Sequence, residues 1–189
     1  MTAVTFETST LSGVGRLAIP FHEDVRGCFS KVFARSVLDD LGIPFQIDEV
    51  YWSTSHCGVI RGLHFQNPGS AVAKIVFCTQ GRIHDVVLDL RDGSPTYGQI
   101  AEFELTPTTG AVVVPAGFAH GFEVLEGPAI TCYLQDGPFS SQGDAGVRWD
   151  TAGIGWHIEE PIVSDRDRAL PDFAAYQSPF RLDGTTHAL

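Results

Sequence analysis

The stretch GVIRGLHFQ, residues 58–66, places an arginine and a histidine inside a run that otherwise favours a β-strand. Period-two alternation puts His64 on the face opposite Arg61. Gly62 predicts a β-bulge, because a glycine inside a strand often marks one, and a bulge would turn both side chains towards a common cavity. The alternative is a structural histidine that forms hydrogen bonds within the core or at a strand end.

The sequence on both sides of this stretch alternates in short apolar runs separated by turn residues. These runs predict about eight strands, at residues 50–55, 59–66, 72–78, 83–90, 99–105, 111–114, 121–125 and 129–134. Typical turn sequences separate them, among them Gln80-Gly81 and Glu126-Gly127-Pro128. No segment between them is long enough for a helical crossover, so we expect an antiparallel sheet, as a sandwich or a jelly-roll barrel.

The two ends of the chain are less regular. Residues 1–20 predict one or two edge strands without an evident partner, and a turn at Gly27 leads into another strand. One short helix is predicted over residues 34–41, closed by Gly42. Beyond the last strand we expect loops and short helices packed across the barrel, with residues 181–189 frayed.

Length and composition predict one domain. A chain of 189 residues with 43% apolar and 11% aromatic content can bury one sizeable core, whereas two full domains would be cramped. Residues 1–189 are therefore predicted to form a single all-β domain. The net charge is −11 and the 12 basic residues occur singly, which argues against a nucleic acid or an anionic membrane as partner. A few converging arginines would still suit an anionic ligand.

The cysteines and the N-terminus indicate a cellular compartment. Cys28, Cys57, Cys78 and Cys132 form no Cys-x-x-Cys pair, and most have apolar neighbours, so we expect buried free thiols. The N-terminal segment has no basic region followed by an apolar core, and no apolar run reaches the ~20 residues that span a bilayer. A cytoplasmic location is the resulting expectation.

Three further polar residues lie within predicted strands or at a strand entry. Lys74 shares a face with Val76 and Cys78, so it either meets a carboxylate or a ligand inside the barrel or is an ordinary solvated lysine. Tyr133 suits a polar cavity wall, an exposed strand face or a structural role. His120 follows a Pro-x-Gly turn, where it either lines a site or caps backbone groups.

Taken together, these motifs resemble the dTDP-4-dehydrorhamnose 3,5-epimerase family, which acts on nucleotide-linked 4-keto-6-deoxy sugars. The matching stretches are DVRGCF (24–29), STS (53–55), GVIRGLHFQ (58–66), AKIV (73–76), DVVLDLRDGSPT (85–96), residues 115–122, Gly155-Trp156 and VSDRD (163–167). They follow the family's order and cover most of the chain. The resemblance implies a cupin-type jelly roll, a homodimer that exchanges N-terminal strands, and no metal or organic cofactor.

The resemblance also implies catalytic roles. Epimerisation beside the C4 ketone removes a C–H proton, holds an enolate and returns a proton from the opposite face. His64 would be the base, with its imidazole held by Asp167. Lys74 would donate to the enolate oxygen, and Tyr133 would be the acid on the far face.

A second set of residues is implied to bind the substrate. Arg26 and Arg61 match arginines that bind the diphosphate, where charge-assisted and often bidentate hydrogen bonds suit a guanidinium. His120 would line the sugar pocket. Further substrate-binding positions are occupied by Phe29, Glu49 and Tyr51.

The chain departs from the family's usual pattern at some of the binding positions. Lys31 stands where a glutamate is usual, and Glu49-Val50-Tyr51 stands where Gln-x-Asn is usual. The catalytic set is kept while part of the recognition set is altered. This combination predicts a related epimerase with a changed sugar, a changed nucleotide, or inversion at one carbon only.

Two other functions compete with an epimerase that inverts C3, C5 or both. A metal-dependent cupin enzyme generally needs a His-x-His pair and a nearby glutamate, whereas His64, His84 and His120 are isolated in the sequence. A non-catalytic sugar-nucleotide-binding protein would be expected to lose His64, Tyr133 or Asp167, and all three are present. The epimerase is therefore the predicted function, in deoxysugar biosynthesis.

Overall fold

The structure is a computed structural model that describes residues 3–182. Its strands are β1 (Thr5–Thr8), β2 (Gly15–Ala18), β3 (Phe21–Asp24), β4 (Gly27–Ser30), β5 (Glu49–Ser55), β6 (Ile60–Gln66), β7 (Lys74–Asp89), β8 (Ile100–Leu105), β9 (Ala111–Val114), β10 (Phe118–Gln135) and β11 (Asp144–Gly146). The helical elements are α1 (Arg35–Asp40), α2 (Asp165–Arg168) and a 3-10 turn at Phe173–Ala175. The protein is thus predominantly β, with short helices only.

Two long strands, β7 and β10, organise the barrel. They pair antiparallel from Asp89 opposite Phe118 to Lys74 opposite Gln135. The first half of β10 also pairs with β6, which continues to β11, and its second half pairs with β5. On the other side, β8 and β9 pair with different halves of β7, and β9 continues through β2 to β1. This is the predicted antiparallel jelly-roll arrangement.

The prediction of separate strands at 72–78 and 83–90, and at 121–125 and 129–134, is wrong. Each pair is one continuous strand, β7 or β10, that bends where the turn residues lie. The ladder shifts register near Glu126 and Ile130, so the glycines there produce bulges and no chain reversal. At Gly81, a Cβ would lie 2.4 Å from the carbonyl oxygen of Glu126, which explains why a glycine is required.

Apolar side chains fill both faces of the bent sheet. Between the two layers lies a core that includes Val76, Val87, Phe118 and Phe122, all nearly inaccessible to solvent. Helix α1 covers a second cluster on the outer face, and the C-terminal segment covers a third that includes Leu63. Each fully buried side chain of this size contributes about 1.5–3 kcal/mol, so both coverings stabilise the barrel.

The predicted terminal features are largely present. Helix α1 ends before Gly42, which has a φ of 70°, and the edge strand β2 pairs with β9. The predicted fraying is wrong for residues 181 and 182, because Arg181 bridges to Asp92 and the Leu182 N–H donates to the Asp92 carbonyl at 2.8 Å. The rest of that prediction, residues 183–189, lies outside the described residues.

Two of the four cysteines differ from the prediction of buried thiols. Cys28 and Cys57 are exposed, whereas Cys78 is buried and Cys132 is partly buried. Cys28 lies on the β3–β4 hairpin, a separate two-stranded sheet that leaves its side chain uncovered, and Cys57 lies in the turn after β5. Within residues 3–182, no helix has the length and apolar character needed to cross a membrane.

Candidate active site

His64 and Asp167 form a close pair although 103 residues separate them in the chain. Strand β6 carries His64, and its Nε2 lies 2.7 Å from Oδ1 of Asp167. Helix α2 presents the aspartate, because the Ser164 side chain caps this helix by accepting the Asp167 N–H at 3.1 Å. The Gly62 N–H donates to the other carboxylate oxygen at 3.2 Å. The structure therefore joins the two residues predicted to act as base and orienting carboxylate.

The environment of Asp167 keeps it ionised. Burial raises the pKa of its carboxyl, but the hydrogen bond and charge of His64, the Gly62 N–H and the charge of Arg166 together hold the pKa below its usual value. A carboxylate only accepts, so it selects the imidazole tautomer with hydrogen on Nε2. The Nδ1 atom of His64 makes no hydrogen bond to any described residue and is left to act as a base.

Sequence reasoning did not single out Arg166, which borders this pair. Its guanidinium lies 2.9 Å from His64 Nε2 and 3.3 Å from Asp167 Oδ1, and it donates to Asp144 at 2.6 Å. A guanidinium only donates, so with the hydrogen on His64 Nε2 the hydrogen bonds of Arg166 go to the carboxylates of Asp167 and Asp144, and its charge favours the ionised form of Asp167. The available signal was its place between two aspartates in the VSDRD motif.

The predicted bulge at Gly62 is present. The ladder between β6 and β10 shifts register between His120 and Phe122, and Gly62 has a φ of 134°. A Cβ at this position would lie 2.6 Å from the Cα of Gly121, so a larger residue would clash with backbone. The bulge leaves Arg61 exposed, where its Nε donates to Ser55 Oγ at 2.9 Å, near the end of β5.

His120 occupies the barrel interior beside His64. The two histidines are paired across β6 and β10, and His120 Nε2 lies 2.7 Å from Asp85 Oδ1. Both His120 and Asp85 are buried, at 4% and 0% exposure. The prediction that His120 lines the same cavity as His64 has this geometric support, while its role towards a sugar stays a prediction.

Tyr133 faces the same interior from the second half of β10. Its ring centroid lies 6.0 Å from that of His120, and the adjacent Thr131 and Gln135 are also buried, so the alternative of an exposed strand face is wrong. Burial raises the pKa of Tyr133 strongly, and the charge of Asp85 raises it further. The phenol therefore keeps its proton at neutral pH, as an acid must.

Lys74 points into the barrel, which makes the alternative of an ordinary solvated lysine wrong. Val76 and Cys78, which share its face of β7, belong to the inner core. Burial lowers the pKa of Lys74 to about 8, opposed by the charge of Asp144 and assisted by that of Arg166. No ion pair joins it to a carboxylate among residues 3–182. A partly desolvated ammonium of this kind suits an anionic oxygen of a ligand.

Several buried polar atoms on the inner strands have no hydrogen-bond partner among the described residues. They are Ser53 Oγ, Gln66 Nε2, Asp85 Oδ2 and Thr131 Oγ1. Buried polar groups are nearly always paired, so unpaired ones on β5, β6, β7 and β10, two of which carry His64 and Tyr133, indicate a polar ligand. Sugar hydroxyl and carbonyl groups would satisfy donors and acceptors of this mixture.

Three of the predicted binding residues do not contact the group around His64 within this single chain. Arg26 hydrogen-bonds to Asp24 within the turn of the β3–β4 hairpin, and Phe29 on the same hairpin is 61% exposed. The Glu49 carboxylate accepts the Phe139 N–H at 2.9 Å. The structure therefore does not bring these three side chains to the group around His64. Tyr51, by contrast, stacks on the ring of Tyr133.

His84, which is isolated in the sequence, is not isolated in the fold. It forms a cluster with Glu123 and His157, in which the Glu123 Oε1 accepts from the two imidazoles at 2.8 and 2.6 Å. The irregular segment that carries His157 folds back over the sheet and contacts Glu123. The spacing of these residues in the sequence does not reveal this contact. The register of β7 and β10 places this cluster on the outer face of the strands whose inner face carries Asp85 and His120.

The geometry of this cluster is that of hydrogen bonds. Ligand atoms around a tetrahedral zinc ion, each about 2.0–2.1 Å from the metal, lie about 3.3 Å apart. The contacts to Glu123 are shorter, and both carboxylate oxygens also accept backbone N–H groups from residues 157 and 158. Glu123 therefore has its lone pairs occupied and anchors the C-terminal segment to the sheet.

Comparisons with known proteins agree with this arrangement. A family model described as dTDP-4-dehydrorhamnose 3,5-epimerase matches residues 8–175. A dTDP-4-dehydrorhamnose 3,5-epimerase from Sinorhizobium fredii is 37% identical over 166 residues, covering 84% of each chain. A dTDP-4-dehydrorhamnose 3-epimerase from Streptomyces niveus is 33% identical over 162 residues, covering 84% of this chain and 78% of the relative.

Solved structures share the fold. The crystal structure of a dTDP-4-dehydrorhamnose 3,5-epimerase from Bacillus anthracis, with TDP and PPi bound, is 35% identical and superposes with a TM-score of 0.86. The match covers 90% of this chain and 99% of that chain. The predicted cupin-type jelly roll is thereby confirmed. This chain belongs to the dTDP-4-dehydrorhamnose 3,5-epimerase family of isomerases.

Proposed function

We propose that this protein inverts C3, C5 or both of a nucleotide-linked 4-keto-6-deoxy sugar, in deoxysugar biosynthesis, through an enolate. The observation that carries the proposal is the juxtaposition of His64, paired with Asp167, and the buried phenol of Tyr133 in one barrel interior. A base and an acid of these types are what inversion at a carbon beside a ketone requires. Family membership supports the reaction class.

Proton removal falls to His64. Asp167 occupies its Nε2, so Nδ1 takes the C–H proton beside the ketone, and the carboxylate stabilises the imidazolium that forms. The electron pair of the broken C–H bond moves to the C4 oxygen. Lys74 donates to this oxygen from a partly dry wall, where a fixed charge is worth more than in water.

Proton return falls to Tyr133. Its phenol is protonated at neutral pH and delivers a proton to the carbon from the face opposite His64, which inverts the centre. His120, held by Asp85, lines the space between them. The cycle closes when the imidazolium and the phenolate exchange protons with solvent.

Nucleotide binding is proposed to involve a second copy of the chain. The β3–β4 hairpin stands apart from the nine-stranded sheet, and its Arg26 and Phe29 are exposed. The edge strand β5 exposes Val50 and Trp52, at 61% and 69%. A homodimer with exchanged N-terminal strands would cover these apolar side chains and carry Arg26 to the partner's site, where Arg61 is the other diphosphate ligand.

The altered positions Lys31, Glu49 and Tyr51 support a changed sugar or nucleotide. A titration of dTDP, UDP, GDP and CDP against the protein tests this, and a clear preference for dTDP would contradict a changed nucleotide. Replacing Arg61 with alanine should weaken any preferred nucleotide about ten- to a hundred-fold, since a hydrogen bond to a charged group contributes about 1.5–3 kcal/mol.

The reaction itself is tested by solvent exchange. Each nucleotide 4-keto-6-deoxy sugar is incubated with the protein in deuterium oxide, and deuterium at C3 and C5 is read by mass spectrometry and NMR. We expect His64-dependent deuterium incorporation with inversion at one or both carbons. Absence of deuterium from every sugar in the dTDP, UDP, GDP and CDP series would overturn the proposal.

A further inference from the structure

We propose that Tyr51 is a positioning residue for the acid Tyr133, so that this enzyme needs Tyr51 for proton return and not for proton removal. The inference rests on the epimerase reaction proposed above. It concerns a residue that stands where the resemblance led us to expect an asparagine. An asparagine has no ring, so the contact described here depends on a side chain particular to this chain.

The two tyrosines lie directly opposite each other on β5 and β10. Their ring centroids are 4.8 Å apart and their planes differ by 14°, so the rings are stacked. Opposite residues in an antiparallel pair share a face of the sheet, which places Tyr51 on the inner side while its neighbour Val50 points outwards with 61% exposure. Tyr133 is 8% exposed and Tyr51 is 36% exposed, so Tyr51 forms the more exposed side of a stack whose other ring is buried in the barrel wall.

A hydrogen bond fixes the ring of Tyr51 in this stack. The Tyr51 hydroxyl donates to Gln135 Oε1 at 3.2 Å, and the same amide donates from Nε2 to the Gly137 carbonyl at 2.7 Å. Because its Nε2 is committed, the buried Gln135 presents its oxygen to Tyr51. Burial, with the charge of Glu49, raises the pKa of Tyr51 to about 12, so the donor stays protonated.

The acid is held from two sides. Tyr51 covers one face of the Tyr133 ring, and His120 meets the ring at 81° with 6.0 Å between centroids. These two contacts restrict the orientation of the Tyr133 ring. The base is held by a different set, Asp167 and Arg166, on β6 and α2, and Tyr51 makes no hydrogen bond or ring contact with His64 in the described part of the chain.

This separation gives Tyr51 a signature that a general loss of structure would not produce. When His64 removes a proton and returns a deuteron from the same face, the substrate exchanges with retention of configuration. Inversion requires delivery from Tyr133. A displaced acid should therefore lower the rate of inversion while exchange continues, so the ratio of exchange to inversion should rise.

The experiment measures deuterium exchange and net inversion on the same samples of the protein. For Tyr51→Ala we expect inversion to fall about ten- to a hundred-fold, the effect of misplacing a catalytic group, with exchange within about three-fold of wild type. Tyr51→Phe keeps the stack and loses only the bond to Gln135, so it should recover most of the inversion rate. Tyr133→Phe should reproduce the Tyr51→Ala pattern.

Two results would overturn the inference. If exchange and inversion fall in equal proportion in Tyr51→Ala, Tyr51 acts in structure or substrate binding. If neither rate changes, Tyr51 has no role in positioning Tyr133. Absence of exchange in the wild type is a different failure, because it overturns the epimerase reaction itself. In that case the contact is still tested by a double-mutant cycle of Tyr51→Ala and Tyr133→Leu in denaturant unfolding, because each change removes one ring of the stack: non-additive free energies support the positioning contact, and additive ones overturn it.

Discussion

Two histidine–carboxylate pairs lie back to back on β7 and β10. On the inner face, His120 contacts Asp85, and on the outer face, His84 contacts Glu123. Both carboxylates are fully buried, yet Asp85 keeps one oxygen without a partner while every oxygen of Glu123 accepts hydrogen bonds. Burial of a histidine and an acid is thus no sign of function in itself. The unpaired oxygen of Asp85 distinguishes the inner face, which we propose binds the ligand, from the outer face, where Glu123 holds the C-terminal segment.

The largest expected difference between the faces concerns His64. His64→Ala should reduce deuterium exchange at least about a thousand-fold, because the proposed catalytic base is removed. His157→Ala, which trims the outer cluster, should leave exchange per folded molecule within about two-fold. Both variants are compared with wild type by circular dichroism and by exchange rate. A His64→Ala protein that still exchanges deuterium, or a folded His157→Ala protein that does not, would contradict the assignment of catalysis to the inner face and structure to the outer face.

Asp167 should show the next largest effect. Asp167→Asn keeps the shape but replaces the acceptor for His64 Nε2–H with an amide, so the tautomer and the imidazolium are no longer favoured. We expect exchange to fall about a hundred-fold with little change in nucleotide binding. The double variant with His64→Ala should be little worse than His64→Ala alone, because the two residues act as one unit. Multiplicative losses would mean that Asp167 acts independently of His64.

A smaller and pH-dependent effect is expected from Lys74. Its pKa is lowered to about 8, so the protonated donor is present below that pH and is lost above it. If the ammonium donates to the enolate oxygen, exchange should fall about ten-fold for each pH unit above 8 in wild type. Lys74→Met should be slower throughout and lack this descent. The same descent in Lys74→Met would assign the titration to another group.

The strand pattern predicted local features better than long-range ones. Alternation put His64 and Arg61 on opposite faces and left Tyr133 open between a cavity wall and an exposed face, and a glycine inside a strand correctly marked the bulge at Gly62. The bends at Gly81 and Gly127 looked like turns, since a glycine that permits a bulge and one that permits a reversal have the same sequence signal. The pairing of His157 with Glu123 depends on where an irregular segment returns to the sheet, and no local period encodes that.

The outer cluster should affect stability and leave chemistry nearly unchanged. Glu123→Gln replaces an acceptor for several N–H donors by an amide that can satisfy only part of them, so unfolding free energy should fall by about 1.5–3 kcal/mol or more. Exchange per folded molecule should stay within about two-fold, and a chelator should not alter it, because the cluster lies on the face away from His64. Inactivation by the chelator with recovery on adding zinc would overturn the division between the two faces.

The pH dependence of the difference in unfolding free energy between wild type and Glu123→Gln gives a second test of this role. Burial raises the pKa of Glu123, but its bonds to His157 and His84 hold the pKa below the ordinary value of 4.5. A carboxyl whose pKa is lower in the folded state adds stability above its unfolded pKa, and that stability is lost as pH falls through the folded value. The stability gap between wild type and Glu123→Gln, measured by urea unfolding, should therefore be largest near neutral pH and narrow below pH 4.5. A gap that stays constant on acidification would show that the ionised carboxylate is not what anchors the C-terminal segment.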